Sequence, residues 1–381
     1  MLSPDELAAW LRLGATPGIG RGTARRLLAA LGSAERVLAA DESTLLSLCG
    51  RDIIDVLKRR DAQDAARLST TQQWLDTAPA ELPRDIVTLG DPRYPALLLE
   101  TADPPLLLFT LGRVELLSAT SIAIVGSRRA TPQGKENACA FARALSARGL
   151  TIVSGLATGI DTAAHQGALE GAGSTIAFVG TGLDRVYPPG NAALMRQIGA
   201  QGLVASEYPL GAIPLPDNFP RRNRLIAGVA QGTLVVEAAL ESGSLITARL
   251  AVESGRDVFA IPGSIHSAQS RGCHRLIQDG AKLVESPDDV LRELRLPGQT
   301  LPASLSTPRP SLFAQAADDP ATRGPDSALR AALGHDPVTF DALAARTGLP
   351  SDQLAARLLE LELAGVVERL PGGLLQQRAR A

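Results

Sequence analysis

The pattern of apolar and polar residues divides the chain into regions of different periodicity and composition. Residues 1–80 carry Ala, Leu and Arg at helical spacing, which predicts a small helical domain. Residues 84–295 alternate short β-branched runs with helical segments, which predicts parallel strands joined by crossover helices. Residues 297–325 hold prolines and small polar residues without periodicity, as is typical of a linker to the last region, 326–381.

The central region predicts an α/β fold with a doubly wound sheet. Its predicted strands are the runs IVTL, PLLLFT, IAIVG, TIVSG, TIAFVG, LVASEY, TLVVEA, DVFAIP and AKLVE. In such sheets ligands bind at the carboxyl ends of the strands, where the strand order reverses. Nearly every unusual residue of this region follows one of these runs, so we expect the functional site at that edge.

The N-terminal region contains the stretch TPGIGRGTARRLLAALGS. Residues 17–20 predict a tight connection, and Thr23 to Leu31 predicts a helix that ends at Gly32. This resembles a helix-hairpin-helix (SAM-like) domain, whose turn lets backbone N–H groups approach a phosphate. Arg21 and Arg25 are therefore candidates for a secondary DNA contact. A helical bundle used for packing or protein contact explains the segment equally well.

Residues 326–381 predict a winged helix. Three helical segments, DSALRAAL, TFDALAART and SDQLAARLLELELAG, precede two short strands, VVERL and LLQQR. The third helix is where a DNA-binding winged helix presents Arg, Asn or Gln to bases. Here it carries Asp352, Arg357, Glu360 and Glu362. This composition favours protein contact or regulation over base recognition.

Composition limits the possible sites and locations. The formal net charge of −2 argues against a surface that binds nucleic acid everywhere, so any anion site must be local. No apolar run approaches the roughly 20 residues that cross a bilayer, and no signal pattern opens the chain, so we expect a cytoplasmic protein without membrane contact. Cys49, Cys139 and Cys273 stand far apart, and we expect neither a metal site nor a cofactor.

The stretch IAIVGSRRATPQG combines a strand with an arginine-containing turn. Gly126 follows the strand, and Ser127, Arg128 and Arg129 precede a helix start at Pro132. A helix N-terminus attracts anions, and an arginine adds a bidentate phosphate partner. We favour this interpretation over an ordinary turn with solvated arginines.

The stretches SGLATGIDTAAHQGAL and VGTGLDRVYPPGN form two further glycine turns, with Gly155 and Gly159 in the first and Gly180 and Gly182 in the second. Tyr187 adds an aromatic face to the second turn. In the first, Asp161 and His165 are spaced for one helix face and could form a general base with its orienting acid. No nucleophile accompanies them, so we favour structural roles in which Asp161 caps the helix and His165 fixes the turn.

The stretch DNFPRRNRLIAG supplies a ring, an amide and a cluster of guanidinium groups at Phe219, Arg221, Arg222, Asn223 and Arg224. Stacking faces, amide edges and phosphate partners are what a nucleotide or a single strand requires. The apolar helix that follows is expected to be buried, which directs its N-terminal arginines to the pocket.

The stretch GTLVVEAALESGSLITARLA places Glu237 at the end of another strand. This carboxylate could act as a catalytic acid or bind a ribose. Pairing with Arg222 or Arg224 is the interpretation that we favour, because a carboxylate near several arginines is most simply their orienting partner.

Taken in order, these five motifs resemble the DNA-processing protein A (DprA, also called Smf) family. The resemblance implies an extended Rossmann-like fold, a homodimer, binding and protection of incoming single-stranded DNA, and loading of the RecA recombinase during natural transformation. It requires no catalytic centre, so a binding protein is expected and not an enzyme. The DNA-binding residues that it implies are Ser127, Arg128, Gly155, Gly159, Gly180, Gly182, Phe219, Arg221, Asn223 and Arg224; the arginine motifs add Arg129 and Arg222.

Two alternatives remain open from the sequence. Related Rossmann-like enzymes hydrolyse nucleoside monophosphates, and GTLVVE is similar to the segment that carries their carboxylate. The Pro-Gly-Gly that precedes that segment in those enzymes is replaced here by AGVAQ, which counts against this activity. The other alternative is a nucleotide sensor with the winged helix as its output module.

Overall fold

The computed structural model describes residues 2–16, 18–59, 63–294, 327–333 and 337–377. The predicted linker, 297–325, lies outside the described residues, as does Pro17 of the predicted tight connection. Within the described ranges, no helix combines the length and the apolar character needed to cross a membrane.

The N-terminal unit is helical, as predicted. Ser3 begins the first helix with a capping box, and Gly32, with a φ of 87°, ends the second helix where the sequence predicted its end. In the described residues the helices are α1 (Pro4–Ala15), α2 (Arg21–Leu31), α3 (Ala34–Ala39), α4 (Glu42–Leu48), α5 (Arg51–Lys58) and α6 (Asp64–Asp76).

A nine-stranded sheet forms the centre of the protein, and each of the nine predicted runs contributes one strand. The strands are β1 (Arg84–Thr88), β2 (Leu107–Gly112), β3 (Ser121–Val125), β4 (Thr151–Ser154), β5 (Thr175–Phe178), β6 (Leu203–Ser206), β7 (Gly232–Val235), β8 (Asp257–Ala260) and β9 (Lys282–Leu283). Their order across the sheet is β1-β2-β6-β5-β4-β3-β7-β8-β9.

Strand direction differs from the prediction at one end of the sheet. From β6 to β9 all neighbours are parallel, as expected. In contrast, β1 pairs antiparallel with β2, and β2 pairs antiparallel with β6. The connection from β1 to β2 holds only the single helical turn α7 (Ala96–Leu99), and no long crossover helix carries the chain back along the sheet.

Helices cover both faces of the sheet, as in a doubly wound fold. They are α8 (Pro132–Ala147), α9 (Ile160–Ala168), α10 (Ala192–Gln201), α11 (Asn218–Val229), α12 (Gly243–Glu253), α13 (Arg271–Gln278) and α14 (Pro287–Glu293). Side chains of β3 alternate between the two layers: Ile122 and Ile124 pack with α8 and α9, whereas Ala123 and Val125 pack with α11 and α12. All of β3 is buried, which explains its continuous apolar sequence.

The N-terminal helices share one hydrophobic core with the antiparallel end of the sheet. Leu13 and Trp74 belong to the same buried cluster as Phe109 of β2 and Ile198 of α10. The Trp74 and Phe109 rings meet edge to face with centroids 6.3 Å apart. The helical unit is therefore packed onto the sheet and does not rest on its own core alone.

The C-terminal residues form the predicted winged helix. Its elements are α15 (Ser327–Leu333), β10 (Val338–Thr339), α16 (Phe340–Thr347), α17 (Ser351–Leu363), β11 (Val367–Leu370) and β12 (Leu374–Gln377), with strand order β10-β12-β11. The sequence predicted all of these except β10. That strand has only two residues, and its pairing with β12 stabilises it.

Candidate nucleic-acid interface

The strand order reverses between β3 and β7, and a cavity of about 470 Å³ lies there at the carboxyl ends of the strands. From β3 the chain continues to β4 on one side, whereas β7 continues to β8 on the other. The cavity is lined by the turn after β3 and by residues of α9, α11 and the start of α12; among them are Ser127, Arg128, Arg129, Asp161, Arg222, Asn223, Ser242 and Ser244. Its position is the usual ligand position of a doubly wound sheet.

The turn after β3 is fixed by its backbone, which leaves its arginine side chains available. Ser127 N donates to Glu237 O (2.8 Å), and Ser127 O accepts from Ile160 N (3.2 Å). The Ser127 hydroxyl accepts from Arg129 N (3.1 Å). Arg128 and Arg129 line the cavity, and within the described part of the chain neither guanidinium group has an ion-pair partner. They are therefore free to meet an anion.

Two glycines of the second turn are required by close contacts. A Cβ at Gly155 would lie 2.8 Å from the guanidinium carbon of Arg222. Gly159 has a φ of 81°, and a Cβ there would lie 2.3 Å from the carbonyl oxygen of Ser127. Gly159 therefore lets this turn approach the Ser127 turn, and Gly155 leaves the space that the Arg222 guanidinium group occupies.

The glycines of the third turn face the loop before α11. Gly180 O accepts a hydrogen bond from Asn218 Nδ2 (3.0 Å), and Gly182 N donates to Ala212 O (3.1 Å). These bonds hold the third turn against the segment that carries Phe219, so Gly180 and Gly182 shape the site through their backbone.

Asp161 and His165 each bind the second turn and not each other. Asp161 Oδ2 accepts from Gly155 N (3.1 Å) and Ala157 N (3.3 Å) in the turn before α9. The N-cap of α9 is Gly159, so the prediction that Asp161 caps this helix is wrong. His165 Nε2 accepts from Leu156 N (3.3 Å), and His165 Nδ1 lies 2.7 Å from Thr175 Oγ1.

Burial shifts the pKa of both side chains towards the uncharged form. It raises the pKa of Asp161 and lowers the pKa of His165 to about 3, with the nearby Arg222 charge adding to the histidine shift. Because Nε2 accepts from Leu156, the proton of the neutral ring lies on Nδ1, where it is donated to Thr175. A neutral, fully bonded histidine is a structural element of the turn.

The arginines of the RRNR motif point to three different environments. Arg222 is buried, with 3% of its surface exposed. Its Nη1 donates to the carbonyl oxygens of Gly155 (2.5 Å) and Phe178. Burial lowers the pKa of Arg222 to about 10, so the group remains cationic at neutral pH. Arg221 is exposed, and Asn223 lines the cavity.

Arg224 lies in an ion cluster outside the cavity. It pairs with Glu207 and, at 3.3 Å, with Asp103. Arg21 of α2 joins the same two carboxylates, at 3.1 Å from Glu207, and Arg25 Nη1 donates to Ala102 O (2.9 Å). The cluster connects the N-terminal helices to the sheet domain. Arg21 and Arg25, predicted as secondary DNA contacts, are thus engaged within the protein, and Arg224 does not share the cavity with Arg128.

Glu237 does not pair with Arg222 or Arg224, so that prediction is wrong. Its carboxylate accepts from Thr131 N (2.9 Å) and from the Thr131 hydroxyl, because the end of β7 lies beside the start of α8. Burial raises the pKa of Glu237 despite these bonds. The carboxylate that pairs with Arg224 is Glu207, which directly follows β6 in LVASEY.

An arginine and two aromatic rings form a stack at the rim of the cavity. The guanidinium carbon of Arg128 lies 5.7 Å from the centroid of the Phe219 ring. The Tyr187 ring lies on Phe219 with centroids 5.2 Å apart at an interplanar angle of 41°. The sequence identifies Tyr187 as an aromatic face, but the predicted DNA-binding residues do not include it.

The nine-stranded sheet, with an arginine-lined cavity where its strand order reverses, defines an extended Rossmann-like α/β protein. In the described ranges, no group of three or more His, Cys, Asp or Glu side chains is placed to hold a metal ion. The chain belongs to the DNA recombination-mediator protein A family, whose model matches residues 85–295. The model of the DprA winged helix domain matches residues 313–373.

Relatives and solved structures agree with this membership. Protein Smf of Escherichia coli is 43% identical over 286 residues, which are 75% of this chain and 75% of the relative. DNA processing protein DprA of Streptococcus pneumoniae is 53% identical over 203 residues, 53% of this chain and 72% of the relative. The crystal structure of the pneumococcal protein superposes with a TM-score of 0.62 at 39% identity, covering 77% of this chain and 99% of that one.

A second solved structure is that of DNA processing protein A from Helicobacter pylori, whose description concerns its binding mode for single-stranded DNA. It matches with a TM-score of 0.51 at 30% identity and covers 55% of this chain and 94% of that one.

Proposed function

We propose that this protein binds single-stranded DNA at the cavity between β3 and β7 and acts in DNA processing. The observation that carries the proposal is the position of Arg128, which lines the cavity and also contacts the ring of Phe219. A cation that packs on the Phe219–Tyr187 ring pair supplies a phosphate partner next to an exposed aromatic surface. Arg129, Asn223 and the exposed Arg221 add charge and an amide edge around it.

These groups favour a single strand over a duplex. Bases that are paired and stacked in a duplex cannot lie on a protein ring, whereas unpaired bases can. Phosphate and stacking contacts do not distinguish one base from another, so weak sequence preference is expected. The single-stranded DNA binding of the Helicobacter relative supports the same choice.

Family membership supports finer proposals about role and partners. They are protection of incoming DNA, loading of the RecA recombinase during natural transformation, a homodimeric assembly and a cytoplasmic location. RecA loading is testable by adding the protein to RecA and single strands covered with a single-strand-binding protein. Faster onset of RecA ATP hydrolysis is expected, and an unchanged onset would contradict this role.

The candidate catalytic side chains are already hydrogen-bonded within the protein, which supports binding without catalysis. Asp161, His165 and Glu237 all form hydrogen bonds with the protein's own turns or with Thr131. Hydrolysis of nucleoside monophosphates would need one of them to be released for the substrate. Steady release of free base from a nucleoside monophosphate, abolished in Glu237→Gln, would instead support the enzyme.

The direct test compares affinities for a single-stranded oligonucleotide and the matching duplex at one salt concentration. The wild type should prefer the single strand, and Arg128→Ala should weaken that binding by about 1–3 kcal/mol and reduce its salt dependence. Arg143→Ala is the control, because Arg143 is an exposed arginine of α8 whose partner is Glu170 and not a residue of the cavity. Equal affinity for both forms, or an unaffected Arg128→Ala variant, would contradict the proposal.

The winged helix should contribute little to this binding. The exposed part of α17 carries the acidic side chains Asp352 and Glu360, which repel phosphates. A chain that ends before residue 297 is therefore expected to retain most of its affinity for single strands. Loss of binding in that truncation would transfer the DNA-binding role to the C-terminal region.

A further inference from the structure

The ring of Phe219 is half-buried, and three neighbours pack on it. Arg128 lies over it at 5.7 Å, and Tyr187 lies against it at 5.2 Å. The backbone of Gly180 approaches so closely that a Cβ there would lie 3.2 Å from Phe219 Cδ1. Two stacked rings need about 3.5 Å between them, so a base inserted between Phe219 and Tyr187 would require a separation of about 7 Å. An incoming base must therefore lie outside this pair.

Tyr187 provides the exposed ring of the stack. It is 43% exposed, and Val186 in the same loop and Ile213 and Leu215 in the loop that is hydrogen-bonded to it are also exposed. We call these four side chains the Tyr187 lip. The backbone of Leu215 is bonded to the segment that carries Phe219, because Leu215 O accepts a hydrogen bond from Asn218 N (3.0 Å).

Hydrogen bonds between the two loops hold the lip in place. Gly211 N donates to Asp184 Oδ1 (2.8 Å), and Arg185 Nε donates to Gly211 O (3.1 Å). Gly182 N donates to Ala212 O (3.1 Å). Loops that are already fixed lose little conformational freedom when a ligand covers them, which favours binding.

The lip is continuous with the Arg128–Phe219 contact, and this continuity identifies its occupant. Exposed apolar side chains gathered in one place mark a binding surface. A strand whose phosphate meets Arg128 would place its neighbouring base near Tyr187, because both side chains pack on Phe219. Planar, uncharged bases between anionic phosphates fit an exposed apolar surface that lies next to the Arg128 guanidinium group.

We propose that a nucleobase of the bound strand stacks on Tyr187, with Phe219 as the support that positions both Tyr187 and Arg128. The inference rests on the proposed function and assigns the stacking subsite within it. Phe219 then acts as a positioning residue, whereas Tyr187 contacts the base.

Affinity measurements on three variants test the assignment. Tyr187→Ala should lose about 5- to 150-fold in affinity for single strands, the effect of one stacked base. Tyr187→Phe keeps the ring and should bind like the wild type. Leu46→Ala removes an apolar side chain of the same 43% exposure from α4 and serves as the control. Undiminished binding by Tyr187→Ala would overturn the inference.

An abasic scan distinguishes direct stacking from an indirect effect on the fold. The shortest oligothymidylate with full affinity is used, so that the strand cannot slide, and one base at a time is removed. In the wild type, one position should cost several-fold in affinity, and in Tyr187→Ala the same position should have no effect. A cost that persists in Tyr187→Ala would assign the base to another ring.

The two proposals fail in different ways. If the wild type does not prefer single strands, or Arg128→Ala binds normally, the proposed function fails. If single-strand binding depends on Arg128 but neither the variant affinities nor the abasic scan involve Tyr187, only the stacking assignment fails, and the lip is then a surface for a protein partner.

Discussion

The ion cluster between α2 and the sheet domain should stabilise the N-terminal unit, and the effect can be measured separately from the rest of the chain. The Glu207 side chain is 5% exposed and the Arg224 side chain 15% exposed, so the pair is nearly buried. Removing one partner of a buried ion pair costs about 3–5 kcal/mol, because a charge remains unpaired in a desolvated place. Here Arg21, at 3.1 Å from Glu207, remains as a partner.

Arg224→Ala should therefore lower the free energy of unfolding by about 2–4 kcal/mol, below the full cost of an unpaired buried charge. Arg21 is 32% exposed, so solvent screens its pairing, and Arg21→Ala should cost about 1 kcal/mol. Because both arginines share Glu207, the double variant should be less stable than the sum of the two single effects predicts.

Tryptophan fluorescence during urea unfolding is the appropriate assay. The chain has only two tryptophans, Trp10 in α1 and Trp74 in α6, and both are buried in the core that the N-terminal helices form with the sheet. Their signal therefore reports this unit. Arg249→Ala, which breaks an exposed pair with Glu253 on α12, is the control and should leave the midpoint unchanged. A midpoint for Arg224→Ala equal to that of the control would refute the reasoning.

Two further predictions concern the second turn. The folded state holds His165 neutral with a pKa of about 3, whereas His165 in the unfolded chain takes up a proton near pH 6.5. The contribution of the neutral histidine to the free energy of unfolding is therefore complete above pH 6.5 and falls by about 1.4 kcal/mol per pH unit towards pH 3. His165→Gln should remove this part of the slope in urea titrations between pH 7 and 4, and an unchanged slope would contradict it. Gly159→Ala should lower the free energy of unfolding by more than about 2 kcal/mol in thermal unfolding, because its Cβ would meet Ser127 O. Gly22→Ala, at an uncrowded position of α2, should not destabilise, and equal effects at both glycines would refute the steric argument.

The strands were predictable because their sequences respond to burial alone. A strand covered on both faces is apolar throughout, and β3 and β7 show this without knowledge of their neighbours. The direction of β1 and β2 was not predictable in the same way, because it depends on the path of the connection around α7 and on the pairing of β2 with β6.

The partners of individual charged residues were the least predictable part of the site. Successive residues of a helix differ in direction by about 100°, so Arg221, Arg222 and Arg224 face solvent, protein interior and the Glu207 cluster respectively. Glu237 contacts Thr131, which is 106 residues earlier in the chain. Sequence spacing locates such residues at the same sheet edge, but only the fold decides which of them meet.

The shared core beneath the N-terminal helices has a practical consequence for anyone who shortens or recombines this chain. Cutting it before β1 would uncover Ile86 and Phe109, which Trp74 and its neighbours now shield from water. The isolated sheet domain would then expose a contiguous apolar surface, and we expect it to aggregate during expression. Swapping the N-terminal helices with those of a relative would succeed only if both faces of this contact were exchanged together.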